Sequence, residues 1–341
     1  MYVIEIDGSQ GEGGGQILRT AIGLSAVTGK PVKIFNIRKG RPNPGLQAQH
    51  LVGIKAVSEM CSGNLKGAAL ESTEVEFVPG KIKGGDYKFD VGTAGAVTLV
   101  LQSLIIPAIH ADRTIKFEIK GGTHVSWSPS FDFFQQIFCR YMEMIGIKID
   151  SEILKYGFYP KGGGLVEVSV RPSEPKPLNL AERGEYLRTD IFSTASRELE
   201  NNKVVERQIK GAEKILKTTY QVPQYVSSSS VGTCVHMHSH YKNCILGSSV
   251  IGEKNKTAEK VGEEAAINLK KQMDSSGTVD EWMSDQLLPF LALAKGKSGF
   301  ITSGLTKHAE TNIWVIKQFL DVDFKIDCLE GGVKISCSGA K

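Results

Sequence analysis

The order helix, short break, strand occurs three times in this chain, and that recurrence limits its fold more than any other feature. Residues 16–28 (QILRTAIGLSAVT) have helical spacing and run into the strand-like GKPVKIFNI. Residues 95–110 (GAVTLVLQSLIIPAIH) run into ADRTIKFEIK, and residues 280–294 (DEWMSDQLLPFLALA) run into KGKSGFITS. A polar loop and a second helix follow each time, at about 45–62, 130–145 and 307–320, then a further strand at about 73–78, 164–170 and 323–328. Strands this short cannot bury themselves, so the units must lay helices on sheets and share one core. The expected fold is α/β, with three similar sheet-plus-two-helix units forming a large domain.

The register of the repeat exposes an insertion. Gln16 and Gly95 are 79 residues apart, whereas Gly95 and Asp280 are 185 apart, so the third unit is displaced by 106 residues. The excess follows the proline-rich RPSEPKPLN and is placed at 181–275, leaving 1–180 for the first two units of the large domain and 276–341 for the third. Within it, YLRTDIFSTA and residues 231–240 read as strands, and residues 200–217 and 257–271 as helices, which makes a smaller α/β domain.

Composition narrows the function. A net charge of +4 permits an anionic substrate but does not describe a strongly cationic coat for nucleic acid. Glycine makes up 37 of 341 residues, above the roughly 7% usual in globular chains, so many turns or close backbone approaches are expected. The six cysteines are scattered and no leader is evident, so free thiols in a cytoplasmic protein are the expectation. The most apolar run, AVTLVLQSLIIPAIH, is too short and too interrupted for a bilayer span, and no membrane role is expected. A dinucleotide fold is disfavoured: Gly13–Gly15 form a denser cluster than GxGxxG, and the next strand ends in the basic NIRKGR rather than an acid. The lysine-terminated phosphate loop is absent.

Three constellations carry candidate chemistry. The first is Glu12, Arg19, Arg38, Arg41, Gln49 and His50. Arginine presents a planar fork to phosphate, and the N–H groups of the helix beginning near Gln16 can complete an anion site. Against this stand a helix-neighbour pair for Arg19, a solvated RKGR loop, and local capping for Glu12, Gln49 and His50. The second comprises Gln102 on the apolar helix, the loop GGTHVSWSPSFDFF and the glycine-rich YGFYPKGGG. Pro129, Phe133 and Trp282 offer a base-stacking pocket or ordinary core packing, Gln102 a ligand contact or a satisfied core amide, and Lys161 a phosphate contact or a hairpin turn. The third is Asp285 with His308: a neutral imidazole can attack phosphorus, and a carboxylate can orient the ring or hold a metal. A helix-capping histidine and a solvated Lys307 are the plain alternatives.

CVHMHSHYKNC sets Cys234, His236, His238 and His240 at period two on one strand face, with Cys244 after a turn. The spacing matches no standard zinc finger, so an exposed polar face is the expectation and a transition-metal site the alternative.

With these motifs together, the chain resembles the RNA 3′-terminal phosphate cyclase family. The resemblance runs over nearly the whole length, through DGSQGEGGGQILRT, RKGRPNPGLQAQH, YGFYPKGGG, the insertion and TKHAETN. It implies three repeated α/β units with an inserted domain, and conversion of an RNA 3′-phosphate to a 2′,3′-cyclic phosphate with ATP as adenylyl donor and a divalent ion, Mg2+ or Mn2+. It implies that His308 takes AMP from ATP and passes it to the RNA phosphate, which the ribose 2′-hydroxyl then attacks. Glu12, Gln102, Pro129, Phe133, Trp282, Asp285 and His308 are thereby expected around the nucleotide, with Glu12 and Asp285 near the metal. Arg19, Arg38, Arg41, Gln49 and His50 are expected at the RNA end. Trp282 replaces the tyrosine of bacterial relatives. His308 disfavours the ribosome-assembly relatives that lack this nucleophile, and KGR with YPKGGG fits an enolpyruvyl transferase poorly. A noncatalytic RNA-binding module is the rival of a different class, and a homo-oligomer is compatible with the pattern.

Overall fold

The computed structural model describes residues 2–340. In the first unit, β1 (Ile4–Asp7), α1 (Gly15–Thr28), β2 (Val32–Phe35), α2 (Ala48–Met60), β3 (Asn64–Lys66) and β4 (Val75–Val78) follow in order. Helix α1 stops where Gly29 turns left-handed at φ 68°, a conformation an L side chain resists. The second unit contains β5 (Gly85–Asp90), α3 (Val97–Ala108), β6 (Ile115–Gly121), α4 (Phe131–Phe133), a π turn at Phe134–Phe138, α5 (Cys139–Met144), β7 (Ile149–Lys155) and β8 (Gly164–Val170). Helix α3 is apolar almost all round, and every residue in it except Gln102 is buried.

The third sheet begins with β9 (Asn179–Leu180), before the insertion. The chain then leaves for β10 (Tyr186–Ser196), a 3-10 turn at Arg197–Asn202, α6 (Val204–Glu213), β11 (Tyr220–Val226), β12 (Thr233–Tyr241), β13 (Ile245–Ile251) and α7 (Ala258–Asp274). It returns as α8 (Glu281–Leu293), β14 (Ser298–Thr302), α9 (Lys307–Phe319), β15 (Phe324–Leu329) and β16 (Gly332–Cys337).

The class is α/β, and three of the four sheets among the described residues share one topology. Their orders are β1-β2-β4-β3, β5-β6-β8-β7 and β9-β14-β16-β15. In each, the first pair is parallel and the rest antiparallel. The inward alternate residues, such as Ile6 and Ile34, Phe117 and Val168, and Phe300 and Ile335, join one continuous core with α1, α3 and α8. Each such buried side chain contributes about 1.5–3 kcal/mol. Leu180, at the end of the segment assigned from sequence to the second unit, pairs with Phe300, so the insertion interrupts the third unit between its first strand and first helix.

The inserted sheet has the order β11-β10-β12-β13. One face, with Ile191, Val235, Met237 and Leu246, packs under α6 and α7 as a separate core. The opposite face corrects the sequence expectation: Cys234, His236 and His238 are buried rather than exposed, and only His240 is partly open. The His236 ring meets Phe133 edge-on at 6.1 Å, so this polar face is pressed onto α4 of the second unit. Arg183 closes the insertion where it leaves and re-enters. Its guanidinium donates to the carbonyls of Met273 (2.6 Å), Gln272 (2.8 Å), Ser275 and Gly277. The buried Tyr141 hydroxyl lies 2.8 Å from the carbonyls of both Ile245 and Thr278, tying α5 to the same junction.

Candidate active site

Two helix N-termini converge on Glu12. Helix α1 starts after Gly14 without a side-chain cap, so its first N–H groups are free for an anion. Helix α9 starts after Thr306, whose hydroxyl accepts the Ala309 N–H at 3.1 Å. The Glu12 N–H donates to Thr311 Oγ1 at 3.0 Å, which joins the glycine loop to the first turns of α9. His308, the second residue of α9, thereby lies with Nε2 3.8 Å from Glu12 Oε1, and Arg41 pairs with the same carboxylate. His308 is half-exposed; its partial burial first, then the charges of Arg19 and Arg41, lower its pKa below the ordinary value, which favours the neutral imidazole.

Arg19 is the buried charge behind this group. Its Nη2 donates to Gln16 Oε1 at 2.6 Å, the helix-neighbour pair considered from sequence, while its Nε has no partner. Burial lowers its pKa to about 10, which leaves it charged. Asp285 is also buried, and its pKa is raised to about 7 by loss of solvent, against the pull of Arg19. The His50 pKa falls to about 3 through burial and then Arg19 and Arg38. His50 Nδ1 accepts the Gln47 N–H at 3.3 Å as part of a capping box on α2, so the local role is present, and its Nε2 faces α1. A Cβ on Gly15 would stand 2.2 Å from that nitrogen, which explains the glycine. Gln49 Oε1 would similarly lie 2.9 Å from a Cβ on Gly95. Arg38 donates to the carbonyls of Gly45 (2.9 Å) and Asn43, so it shapes its own loop rather than reaching outward.

The aromatic and amide candidates lie along α3, α4 and α8. Gln102 Nε2 donates to Gln286 Oε1 at 2.9 Å, and Gln286 Nε2 donates to the Trp282 carbonyl at 2.7 Å. Gln102 Oε1 is buried and unpartnered. The Pro129 carbonyl accepts from Thr98 on α3 at 2.8 Å. Trp282 is 37% exposed, whereas Phe133 is 3% exposed and belongs to the core beneath the loop, against His236. Lys161 uses its N–H on Ser230 of the insertion, in the turn between β7 and β8. In that turn, a Cβ on Gly162 (φ 65°) would lie 2.8 Å from the backbone of Thr93 and Ala94.

Sequence reasoning passed over the residues that lock these helices together. The Thr20 hydroxyl donates to Asn312 Oδ1 at 2.6 Å, and Asn312 Nδ2 donates to the Asp285 carbonyl at 2.8 Å. Pro289, four residues after Asp285 within α8, has no N–H to serve that carbonyl, and Asn312 takes its place. The available signal was polarity on otherwise buried helix faces: Thr20 one turn after Gln16, and Asn312 one turn after His308.

The family description "RNA 3'-terminal phosphate cyclase" matches residues 10–326. Proteins of that name from Methanopyrus kandleri and Pyrococcus furiosus are each 42% identical to this chain. The alignments cover 97% of this chain with 97% of the first relative, and 97% with 96% of the second. The Archaeoglobus fulgidus protein of the same name is 41% identical over 93% of this chain and 96% of its own length. A profile match over most of the length, joined to relatives of this identity and coverage, means that the chain belongs to the RNA 3′-terminal phosphate cyclase family.

Proposed function

We propose that this protein converts the 3′-terminal phosphate of RNA into a 2′,3′-cyclic phosphate, with ATP as adenylyl donor and His308 as nucleophile. The observation that carries the reading is an imidazole at a helix N-terminus, with Nε2 3.8 Å from Glu12 Oε1 and beside Arg41. The His308 lone pair attacks the α-phosphorus of ATP; the P–N bond forms, the bond to the bridging oxygen breaks, and diphosphate leaves. A terminal phosphate oxygen of the RNA then displaces His308 from AMP. The ribose 2′-hydroxyl attacks that activated phosphorus, loses its proton, closes the ring and releases AMP. Adenylylation replaces a poor leaving group with a good one, so one difficult step becomes three accessible ones.

Arg19 and Arg41 supply fixed positive charge for the phosphoryl oxygens, and the α1 N-terminus supplies N–H donors. Gln49 and His50 are assigned to the RNA end, and Arg38 is assigned there through the loop that it holds by its bonds to the Asn43 and Gly45 carbonyls. Pro129 and Trp282 are assigned to the adenine faces, with Gln102 as a polar contact and Phe133 supporting the pocket from the core. A divalent ion fits Glu12, whose Oε2 is buried without a hydrogen-bond partner; Asp285 fits less well because burial favours its protonated form. Mg2+ or Mn2+ bound there would neutralise charge on the triphosphate.

The test is incubation of wild type and His308→Ala with ATP labelled at the α-phosphate and a divalent ion, before addition of 3′-phosphorylated RNA. Acid-labile AMP on wild type alone, discharged by that RNA, is the expected result. Full turnover by His308→Ala overturns the nucleophile assignment. Absence of adenylylation in folded wild-type protein across metals and nucleotides favours a noncatalytic RNA-binding role. Among the described residues no helix is long and apolar enough to cross a membrane.

A further inference from the structure

Apart from the group formed by His308, Glu12 and Arg41, three residues from different elements place ligand atoms together. His124 follows β6, Asp132 lies in α4 and Cys234 lies on β12 of the insertion; all are buried, and their ligand atoms lie within 4.8 Å of one another. We propose that His124 Nε2, the Asp132 carboxylate and the Cys234 thiolate bind a borderline-soft divalent transition ion of the zinc type, which pins the insertion to the second unit. The site and its test are independent of the cyclase chemistry.

The donor set argues for this class. Nitrogen, oxygen and thiolate sulfur together suit Zn2+ or Co2+, whereas Mg2+ and Ca2+ take oxygen. Charge argues for it too: an ionised carboxylate and a thiolate cancel a dication, so the occupied site is neutral in a buried place that tolerates no net charge. Without an ion, the sole side-chain hydrogen-bond partner of Asp132 among the described residues is His124 Nε2, at 3.1 Å. Cys234 is fully buried and ligates as the thiolate, so metal binding releases its proton. The other nitrogen of His124, Nδ1, lies 2.8 Å from the Thr123 hydroxyl. When an ion binds, Nδ1–H donates to Thr123 and Nε2 gives up its hydrogen bond to Asp132, which leaves its lone pair for the metal, as a ligating histidine requires. His236, two residues along the same face of β12, already uses Nδ1 on Ser249 (2.9 Å) and Nε2 on His238 (3.1 Å), so the fourth position is left to water.

The neighbouring trio Asp190, His238 and His240 is a weaker choice. Arg188 Nε lies 2.8 Å from the Asp190 carboxylate and Arg188 Nη2 lies 3.3 Å from His240 Nε2, so a guanidinium already fills the place of a cation. His124 and Asp132 bracket the loop that carries Pro129. An ion bound to both and to Cys234 therefore fixes that loop to β12.

The experiment uses untagged full-length protein from zinc-replete culture, purified without chelator, with metal content measured by mass spectrometry. A second sample is unfolded with chelator and refolded with Co2+, and the thiolate-to-cobalt charge-transfer absorption is recorded. The expected result is about one ion per chain and a charge-transfer band in wild type. Both fall at least tenfold in Cys234→Ala and His124→Ala, while Cys328→Ala, at an exposed thiol, retains them. Wild type with under about a tenth of an equivalent of metal and no cobalt band overturns the proposal. Stoichiometric metal that survives Cys234→Ala overturns it equally. Circular dichroism checks that each variant is folded; should Cys234→Ala not fold, the wild-type metal content and cobalt band decide.

Discussion

Replacing Asn312 with alanine tests whether the helices that carry His308 and Asp285 are held by one buried amide. Asn312 is fully buried, accepting from Thr20 at 2.6 Å and donating to the Asp285 carbonyl at 2.8 Å. Alanine leaves the Thr20 proton and the Asp285 carbonyl without these partners, and Pro289 ensures that α8 has no N–H of its own to offer that carbonyl. Two groups stranded in a buried site cost about 1–3 kcal/mol each, so a loss of about 3–5 kcal/mol is expected. Equilibrium urea unfolding followed by tryptophan fluorescence, with the slope m unchanged, measures it. Thr20→Val and Asn312→Ala share a bond, so the double variant loses less than the sum, by about 1 kcal/mol. His308 lies one turn earlier on the same helix, and loosening α9 displaces it from Glu12. Misplacement by about 1 Å slows adenylylation by about 100-fold. A stability loss under about 1 kcal/mol, or strict additivity in the cycle, refutes the reasoning.

Asp285 holds its proton in the fold up to about pH 7 but loses it near its ordinary value of 3.8 when unfolded. The native state therefore binds more protons between those values, and stability falls as pH rises through them. Asp285→Asn is expected to remove a loss on the order of 2–3 kcal/mol between pH 5 and 8, read as a flatter pH profile of the urea midpoint. Gly162→Ala combines a left-handed φ with backbone of Thr93 and Ala94 at 2.8 Å, and should cost about 2–4 kcal/mol. Gly163→Ala, with only the Ser229 hydroxyl at 3.1 Å, should cost less by thermal unfolding; equal losses would contradict the close-approach argument. Arg41→Ala should weaken productive engagement of the RNA phosphate more than formation of protein-bound AMP. Unchanged RNA kinetics would remove Arg41 from that role.

The long elements were legible because their apolar periodicity is strong. The helices at 16–28, 95–110 and 280–294 and the charged α7 of the insertion could be located to within a few residues. The short or weakly patterned strands β3, β5 and β9 could not, because a run such as NLK or NL acquires its meaning only from the strand beside it. The period-two histidines were correctly placed on one face of β12, but period alone does not say what covers a face; α4, about 100 residues earlier, does. At the candidate site, residues with distinctive chemistry, such as His308, Glu12 and Arg41, stood out. Thr20 and Asn312 did not, because their role arises from a proline on a third helix.

The split third sheet has a consequence for how the chain is built during synthesis. The first two sheets have all their strands once Val170 has emerged, but β9 must wait about 120 residues for β14. A flexible loop of that length carries a large closure entropy. The insertion has its own core, and Arg183 holds Gln272, Met273, Ser275 and Gly277 beside the departure point, so once the insertion is folded the effective loop is far shorter. The inserted segment thus acts as a clasp that delivers the last fifth of the chain to a waiting edge strand. On this route α8 and α9, and with them His308, are the last parts of the site to be assembled.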